Sequence, residues 1–453
     1  MSLRMLNWGA ATALTVALGG CVNFAPVYTR PEAAVPVAGV AAAQDAAAVP
    51  WRDFIRDAGL RRTIELGLAN NRDLRVAALN VQRVKAQFRV HDALTLPQIN
   101  ASAGFNRSQL GNSASVNLGL SAFELDLFGR VKNLSESALQ ATFASAETRR
   151  SVQISLIAEL SNAWLSLAAD QALQRLAEQT LESRQRSQDL NTRRHALGAI
   201  TGLALSQTQS ALESARLDVA NAAAQVEQDR HALTLLAGAA VPADLLPSER
   251  FFAPTVLVDL PGGVPSSVLQ RRPDVLAAEH QLRAAHADIG AARAAMFPRI
   301  ALTAAAGSSS DALSGLFKSG GRAWNFGPSI SLPLFDGGAS QATLDASRIG
   351  REIALAQYDR TVQVAFREVA DALSVRASLA QRLTAQAALN VATERQLQWA
   401  EALFRAGGSS QLDVLDAQRA FYAAQQGQIA LRLAEQTNRI TLYKVLGGGS
   451  LQE

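Results

Sequence analysis

Cysteine is almost absent. Among 453 residues there is only Cys21, so no intrachain disulfide can form, and an exported chain of this kind must be stable without one. An excess of one charge is lacking too. Lys and Arg number 43 and Asp and Glu 39; the basic residues are spread along the chain, rarely beside aromatics, which argues against a nucleic-acid stripe. Past residue 20 no run approaches the roughly 18 apolar residues of a transmembrane helix. If the chain crosses a membrane, it crosses as strands. Catalytic patterns are missing as well. His91, His195, His231, His280 and His286 form no His-Glu-x-x-His arrangement, and histidines scattered like this read as surface or interface residues rather than metal ligands. Gly307-Ser308-Ser309-Ser310-Asp311 lacks the Walker lysine and reads as a polar loop. No triad or carboxylate pair for hydrolysis stands out, nor any nucleotide or metal motif. The chain is not expected to be an enzyme or to carry a cofactor, apart from a covalent lipid.

That lipid is expected at Cys21. One basic residue, Arg4, precedes an uncharged stretch from Met5 to Leu18, which is the layout of a secretory signal over residues 1–20. The stretch ends in Leu18-Gly19-Gly20-Cys21, a lipobox pattern in which the cysteine becomes the lipidated first mature residue. Val22 follows, where an Asp would signal inner-membrane retention, so the outer membrane is favoured. Pro26, Pro31, Pro36 and Pro50 make residues 21–59 an extended segment that is expected to wrap the outside of a barrel.

The chain then repeats itself. A helical pattern from Asp73 ends at Leu96-Pro97-Gln98-Ile99, and one from Asp274 ends at Phe297-Pro298-Arg299-Ile300. Leu197-Gly198 and Leu203 correspond to Ala406-Gly407 and Leu412; Leu236-Ala237-Gly238 corresponds to Leu446-Gly447-Gly448. Matching features at a drifting offset describe two copies of one unit, residues 60–240 and 266–453, joined by a linker over 241–265. Neither Gly nor Pro occurs from Val131 to Leu197, and only Gly350 interrupts Ala339 to Ala406. Such stretches predict helices of about 100 Å. Ile157, Leu160, Trp164 and Leu167, like Val362, Phe366, Val369 and Leu373, keep coiled-coil spacing. Gly198 and Gly407 suit the left-handed position that ends a helix, and Thr201 and Ser409 or Ser410 can cap the helix that returns.

Between the helices lie alternating segments, with strands expected near 99–108, 115–128, 300–308 and 325–335. Ile99, Ala101, Ala103 and Phe105 alternate with Asn100, Ser102, Gly104 and Asn106; Val116, Leu118 and Leu120 alternate with Asn117, Gly119 and Ser121; Phe326, Ile330, Leu332 and Leu334 alternate with Asn325, Gly327, Ser329 and Ser331. One apolar and one small polar face is the pattern of an outer-membrane strand, or of any half-buried strand. Four strands cannot close a lumen, and open edges in lipid are very costly. Such a sheet must close with other copies or lie outside the membrane. The fold class is therefore mixed α+β, mainly α, in an oligomer whose number the sequence does not count.

The lipobox, Arg271-Arg272-Pro273-Asp274-Val275, Phe297-Pro298-Arg299-Ile300, Leu332-Pro333-Leu334-Phe335-Asp336-Gly337-Gly338 and Leu412-Asp413-Val414-Leu415-Asp416-Ala417-Gln418 resemble the TolC-like outer-membrane efflux proteins. Within them, the chain is most similar to the lipoprotein (NodT/OprM-type) branch that serves resistance–nodulation–division pumps. The resemblance implies a homotrimer with a twelve-stranded outer-membrane barrel, continuous with a long periplasmic α-helical barrel. It also implies a periplasmic adaptor (membrane fusion) protein and an inner-membrane pump as partners, with passive conduction of small molecules such as drugs or other toxic compounds.

The resemblance further implies a periplasmic gate of acidic rings near Asp413 and Asp416, with Arg419 as a pairing cation. The adaptor contacts are implied at the hairpin tips, Gly198 and Leu203 on one and Gly407 and Leu412 on the other. Carboxylates gathered in a narrow aperture would raise some pKa values and make closure pH-sensitive. The first-half counterparts, Ala204 and Gln207, are not acidic, and Phe404 and Ser409 stand where some relatives place a latching tyrosine and arginine. Any latch must therefore use other contacts. The competing reading is a lipid-anchored periplasmic coiled-coil scaffold without channel activity.

Overall fold

The computed structural model describes residues 23–31, 49–109, 111–247, 257 and 270–448. Cys21, the signal segment 1–20 and most of the 241–265 linker lie outside the described residues. The helices are α1 (Trp51–Phe54), α2 (Ala58–Asn70), α3 (Arg72–Ala93), α4 (Arg130–Ala196), α5 (Gly202–Ala237), α6 (Pro273–Ala294), α7 (Ala339–Arg405) and α8 (Gln411–Val445). The strands are β1 (Ile99–Ser108), β2 (Gly111–Leu125), β3 (Arg299–Ser310) and β4 (Arg322–Ser331). The order helix, strand, strand, long helix, helix thus occurs twice. Both long helices have 67 residues, about 100 Å at 1.5 Å per residue. Gly350 is accommodated inside α7, with open space where a Cβ would stand.

Two compact units divide the chain, and each draws on both halves of the sequence. The first comprises residues 1–34, 78–148 and 276–361, the second 35–77, 149–275 and 362–453. The second unit holds the main core. Ile157, Leu160, Trp164 and Leu167 of α4 are all buried there with Val369, Ile440 and Leu442. Fully burying each such side chain contributes about 1.5–3 kcal/mol. The Phe54 ring stacks on Tyr443 at 4.2 Å, the Tyr443 hydroxyl donates to Val49 O at 3.0 Å, and Trp164 Nε1 donates to Leu245 O at 2.9 Å. Leu257, inside the expected linker, bridges to Ile55 as an isolated antiparallel pair, so part of that segment belongs to the core.

One expectation needs amending. An 18-residue window of α4 does reach a mean hydropathy of 1.2, but 56% of it is buried inside the protein. It is a core segment, apolar because it packs against other helices.

In the first unit, residues 23–31 lie along α6 and the turns beside it. Phe24 stacks on Phe297 at 4.4 Å and on Phe128 at 6.1 Å. Asn133 Nδ2 donates to Asn23 Oδ1 at 2.8 Å, and Arg293 Nη1 to Phe24 O at 3.2 Å. Arg30 and Arg283 both pair with Glu279, which is almost fully buried. Gly290 permits the close approach, because a Cβ there would meet Ala25 at 2.8 Å. The partners of residues 23–31 thus come from α6, from the start of α4 and from the turns before α4 and β3.

Candidate membrane face and helical tips

The four strands form one antiparallel sheet in the order β1-β2-β3-β4. Register decides which side chains share a face, since directly opposed residues point the same way. Ile99, Ala101, Ala103 and Phe105 oppose Leu120, Leu118, Val116 and Ala114. Leu118 and Leu120 oppose Ala306 and Ala304, which in turn oppose Trp324 and Phe326. Ile300 opposes both Leu125 and Ile330. One face is thus apolar across all four strands. The other carries Asn100, Ser102, Asn117, Gly307, Asn325 and Ser329 among its residues.

The alternation would fail in β2 without an irregularity. From Leu120 to Phe123 the strand advances three residues while β3 advances two, from Ala304 to Leu302. This bulge places Ala122 at φ +50°, and its N–H donates to Thr303 Oγ1 at 3.3 Å. One extra residue returns Phe123 and Leu125 to the apolar face. β2 runs Gly111–Leu125, ending short of the expected 128 and starting earlier than the expected 115. β4 runs 322–331, not 325–335, ending two residues before Pro333, which has no N–H to donate.

Phe105, Leu118, Trp324, Phe326 and Ile330 are exposed, and Trp324 is 80% exposed. Among the described residues, each of the two outer strands, β1 and β4, has an unpaired edge. At the base of the sheet, Glu124 accepts from Arg130 Nε at 2.8 Å and from Arg299 Nη2 at 2.8 Å.

The helical tips, in the second unit, repeat one geometry. At the first, Gly198 has φ +72°, and Ala199 N donates to Arg194 O at 2.8 Å. At the second, Gly407 has φ +80°, and Gly408 N donates to Leu403 O at 2.8 Å. This six-to-one closure with a left-handed glycine satisfies the last carbonyls of each long helix. Thr201 then caps α5 and Ser410 caps α8. Leu203 and Leu412 are both exposed beside their turns.

Asp413 is the third residue of α8 and completes a capping box with Ser410. Hydrogen bonds from the Ser410 hydroxyl and backbone hold its carboxyl below the usual range. Within one chain the shift is thus opposite to the rise expected for a repelling ring, because local donors act on it. Asp416 pairs with Arg419 at 2.7 Å. Two contacts here were not foreseen. The Arg194 guanidinium lies 5.0 Å from the Phe404 ring, joining the two hairpins. Arg184 donates to Gln418. The first has a signal in the sequence, an aromatic near one tip and an arginine near the other; the second has none.

A model of the outer membrane efflux proteins matches residues 63–239 and 264–448. The chain belongs to this family. The probable efflux pump outer membrane protein TtgC of Pseudomonas putida is 43% identical over 453 residues, spanning 95% of this chain and 93% of its own. A probable outer membrane lipoprotein of Salmonella typhimurium, SilC, is 39% identical over 450 residues, covering 95% of this chain and 96% of its own. The open state of the MtrE outer membrane channel of Neisseria gonorrhoeae superposes with a TM-score of 0.84 at 35% identity, over 94% of this chain and 98% of that one. As an outer membrane efflux protein, the chain resides in the outer membrane and serves as the channel component of an efflux pump.

Proposed function

We propose that three copies close their sheets into a twelve-stranded barrel in the outer membrane, and that α4, α5, α7 and α8 line a conduit through the periplasm. The observation that carries this reading is the continuous apolar face on a sheet with two open edges. In lipid, unpaired backbone groups at those edges cost several kcal/mol each, and closure with other copies removes them. Strands of 10 to 15 residues, at about 3.4 Å per residue, are long enough for the roughly 25 Å apolar band of an outer-membrane barrel. The mature chain is anchored by lipid on Cys21 after removal of residues 1–20. Two structural repeats, 60–240 and 266–453, supply equivalent hairpins.

Conduction through this duct is passive, and energy comes from an inner-membrane pump of the resistance–nodulation–division type through a periplasmic adaptor. The turns at Gly198–Leu203 and Gly407–Leu412 are the adaptor contacts. Asp413, Asp416 and Arg419 form the periplasmic gate. The cargo is small molecules such as drugs or other toxic compounds.

The test is native mass spectrometry of protein extracted from outer membranes, followed by planar-bilayer conductance. A lipidated trimer with measurable conductance is expected. A persistent monomer without conductance would replace the duct with the scaffold reading. Asp413→Ala combined with Asp416→Ala is expected to change conductance or its dependence on pH; unchanged conductance across pH would remove the gate role.

A further inference from the structure

Among the described residues, Arg184 is a buried cation without an anion. Its residue is 6% exposed, and its hydrogen bond to a protein acceptor goes to the neutral amide oxygen of Gln418. Burial lowers its pKa, and the charge acting on it is that of Arg419, which has the same sign. The side chain lines a cavity of about 220 Å³ with Thr180, Ser183, Glu401, Gln418 and Tyr422. Glu401 belongs to that wall, yet forms no ion pair with Arg184. Arg419 is already engaged by Asp416 at 2.7 Å, and the Tyr422 hydroxyl faces Asp218.

A guanidinium offers five N–H donors in a planar fork that matches a carboxylate. An amide oxygen uses one or two of them and neutralises none of the charge. A buried charge left uncompensated is strongly unfavourable, so a site of this kind draws in an opposite charge. Glu401 in the same wall disfavours a polyanion and leaves room electrostatically for one small monoanion. We propose that this cavity is a carboxylate-binding site, with Arg184 as the recognising cation. The carboxylate comes either from solution or from an acidic side chain of a second copy of the chain.

The experiment uses the full-length protein in mild detergent, with sodium acetate replacing sodium chloride at constant ionic strength. For a dissolved ligand, acetate raises the melting temperature saturably in the wild type and fails to do so in Arg184→Gln. For a carboxylate of a second copy, acetate has no effect, and Arg184→Gln raises the concentration at which the oligomer dissociates about tenfold, by native mass spectrometry. The Glu401→Gln variant keeps the cation and removes the like charge of the ligand. It is expected to lower the half-saturating acetate, or the dissociation concentration, several-fold. The proposal is overturned if acetate acts equally on wild type and Arg184→Gln. It is also overturned if neither acetate, Arg184→Gln nor Glu401→Gln changes melting or assembly.

Discussion

Arg272 Nη2 donates to Glu368 Oε2 at 2.8 Å, tying the residue just before α6 to the middle of α7. The same guanidinium donates to Asp274 at 2.7 and 3.0 Å and to Val445 O at 3.0 Å, at the last residue of α8. One side chain therefore fastens two helix ends of the second unit to a long helix. Its burial is tolerable because two carboxylates and a carbonyl satisfy it.

Arg272→Met leaves both carboxylates and the Val445 carbonyl without this partner. Removing one member of a buried ion pair costs about 3–5 kcal/mol, and the partial exposure of Glu368 and Asp274 reduces this to about 2 kcal/mol. Denaturant unfolding of the second unit is expected to show that loss. Glu368→Gln is expected to lose less than 1 kcal/mol, since its side chain is 37% exposed and solvent already screens it. Equal stability of Arg272→Met and wild type would remove Arg272 as the fastening residue.

The face assignment of the sheet predicts opposite results for adjacent residues. Phe326 opposes Ala304 on the apolar face, whereas Asn325 opposes Ala305 on the other. Arg on the lipid face of an outer-membrane barrel costs up to about 2–4 kcal/mol, depending on depth. Phe326→Arg is expected to deplete the protein from the outer-membrane fraction, and Asn325→Arg to leave its amount unchanged. Depletion in both, or in neither, would contradict the face assignment.

Asp170 of α4 and Asp229 of α5 share a site in the second unit. Burial, with the Asp229 carboxyl beside it, pushes the Asp170 pKa up to about 7. The folded state therefore binds this proton more tightly than the unfolded chain does. Its stabilising contribution is complete below the ordinary aspartate range, near pH 4, and is lost as pH rises through about 7. Asp229→Asn removes the repulsion and is expected to raise stability at pH 8 by about 1 kcal/mol, after allowance for solvent screening. Little gain is expected near pH 4. Melting curves at the two pH values check it; an equal effect at both would exclude the shared proton.

Much of the architecture was legible in the sequence, for reasons confined to short stretches of chain. The absence of Gly and Pro from Val131 to Leu197 marks α4, because each residue's helix preference is local. Gly198 and Gly407 end long helices because a left-handed turn favours glycine wherever it occurs. Thr201 and Ser410 cap the next helices within three residues of themselves. Alternation along β1 shows its two faces because the strand is regular throughout.

What the sequence did not reveal depends on residues brought together from far apart. The phase change between Leu120 and Phe123 breaks the alternation in β2, and only pairing with β3 shows that a bulge restores it. Arg271-Arg272-Pro273-Asp274 marked a family resemblance, yet the choice of Arg272 as the buried one follows from where Glu368 and Val445 lie. Residues 23–31 take their course from Glu279 and Gly290, more than 245 positions away. Arg184 resembles any other helix arginine until Gln418 and the cavity surround it. Local steric and hydrogen-bonding preferences determined the elements and their ends. Tertiary structure alone decided burial and partnership, because desolvation and ion pairing depend on neighbours in space.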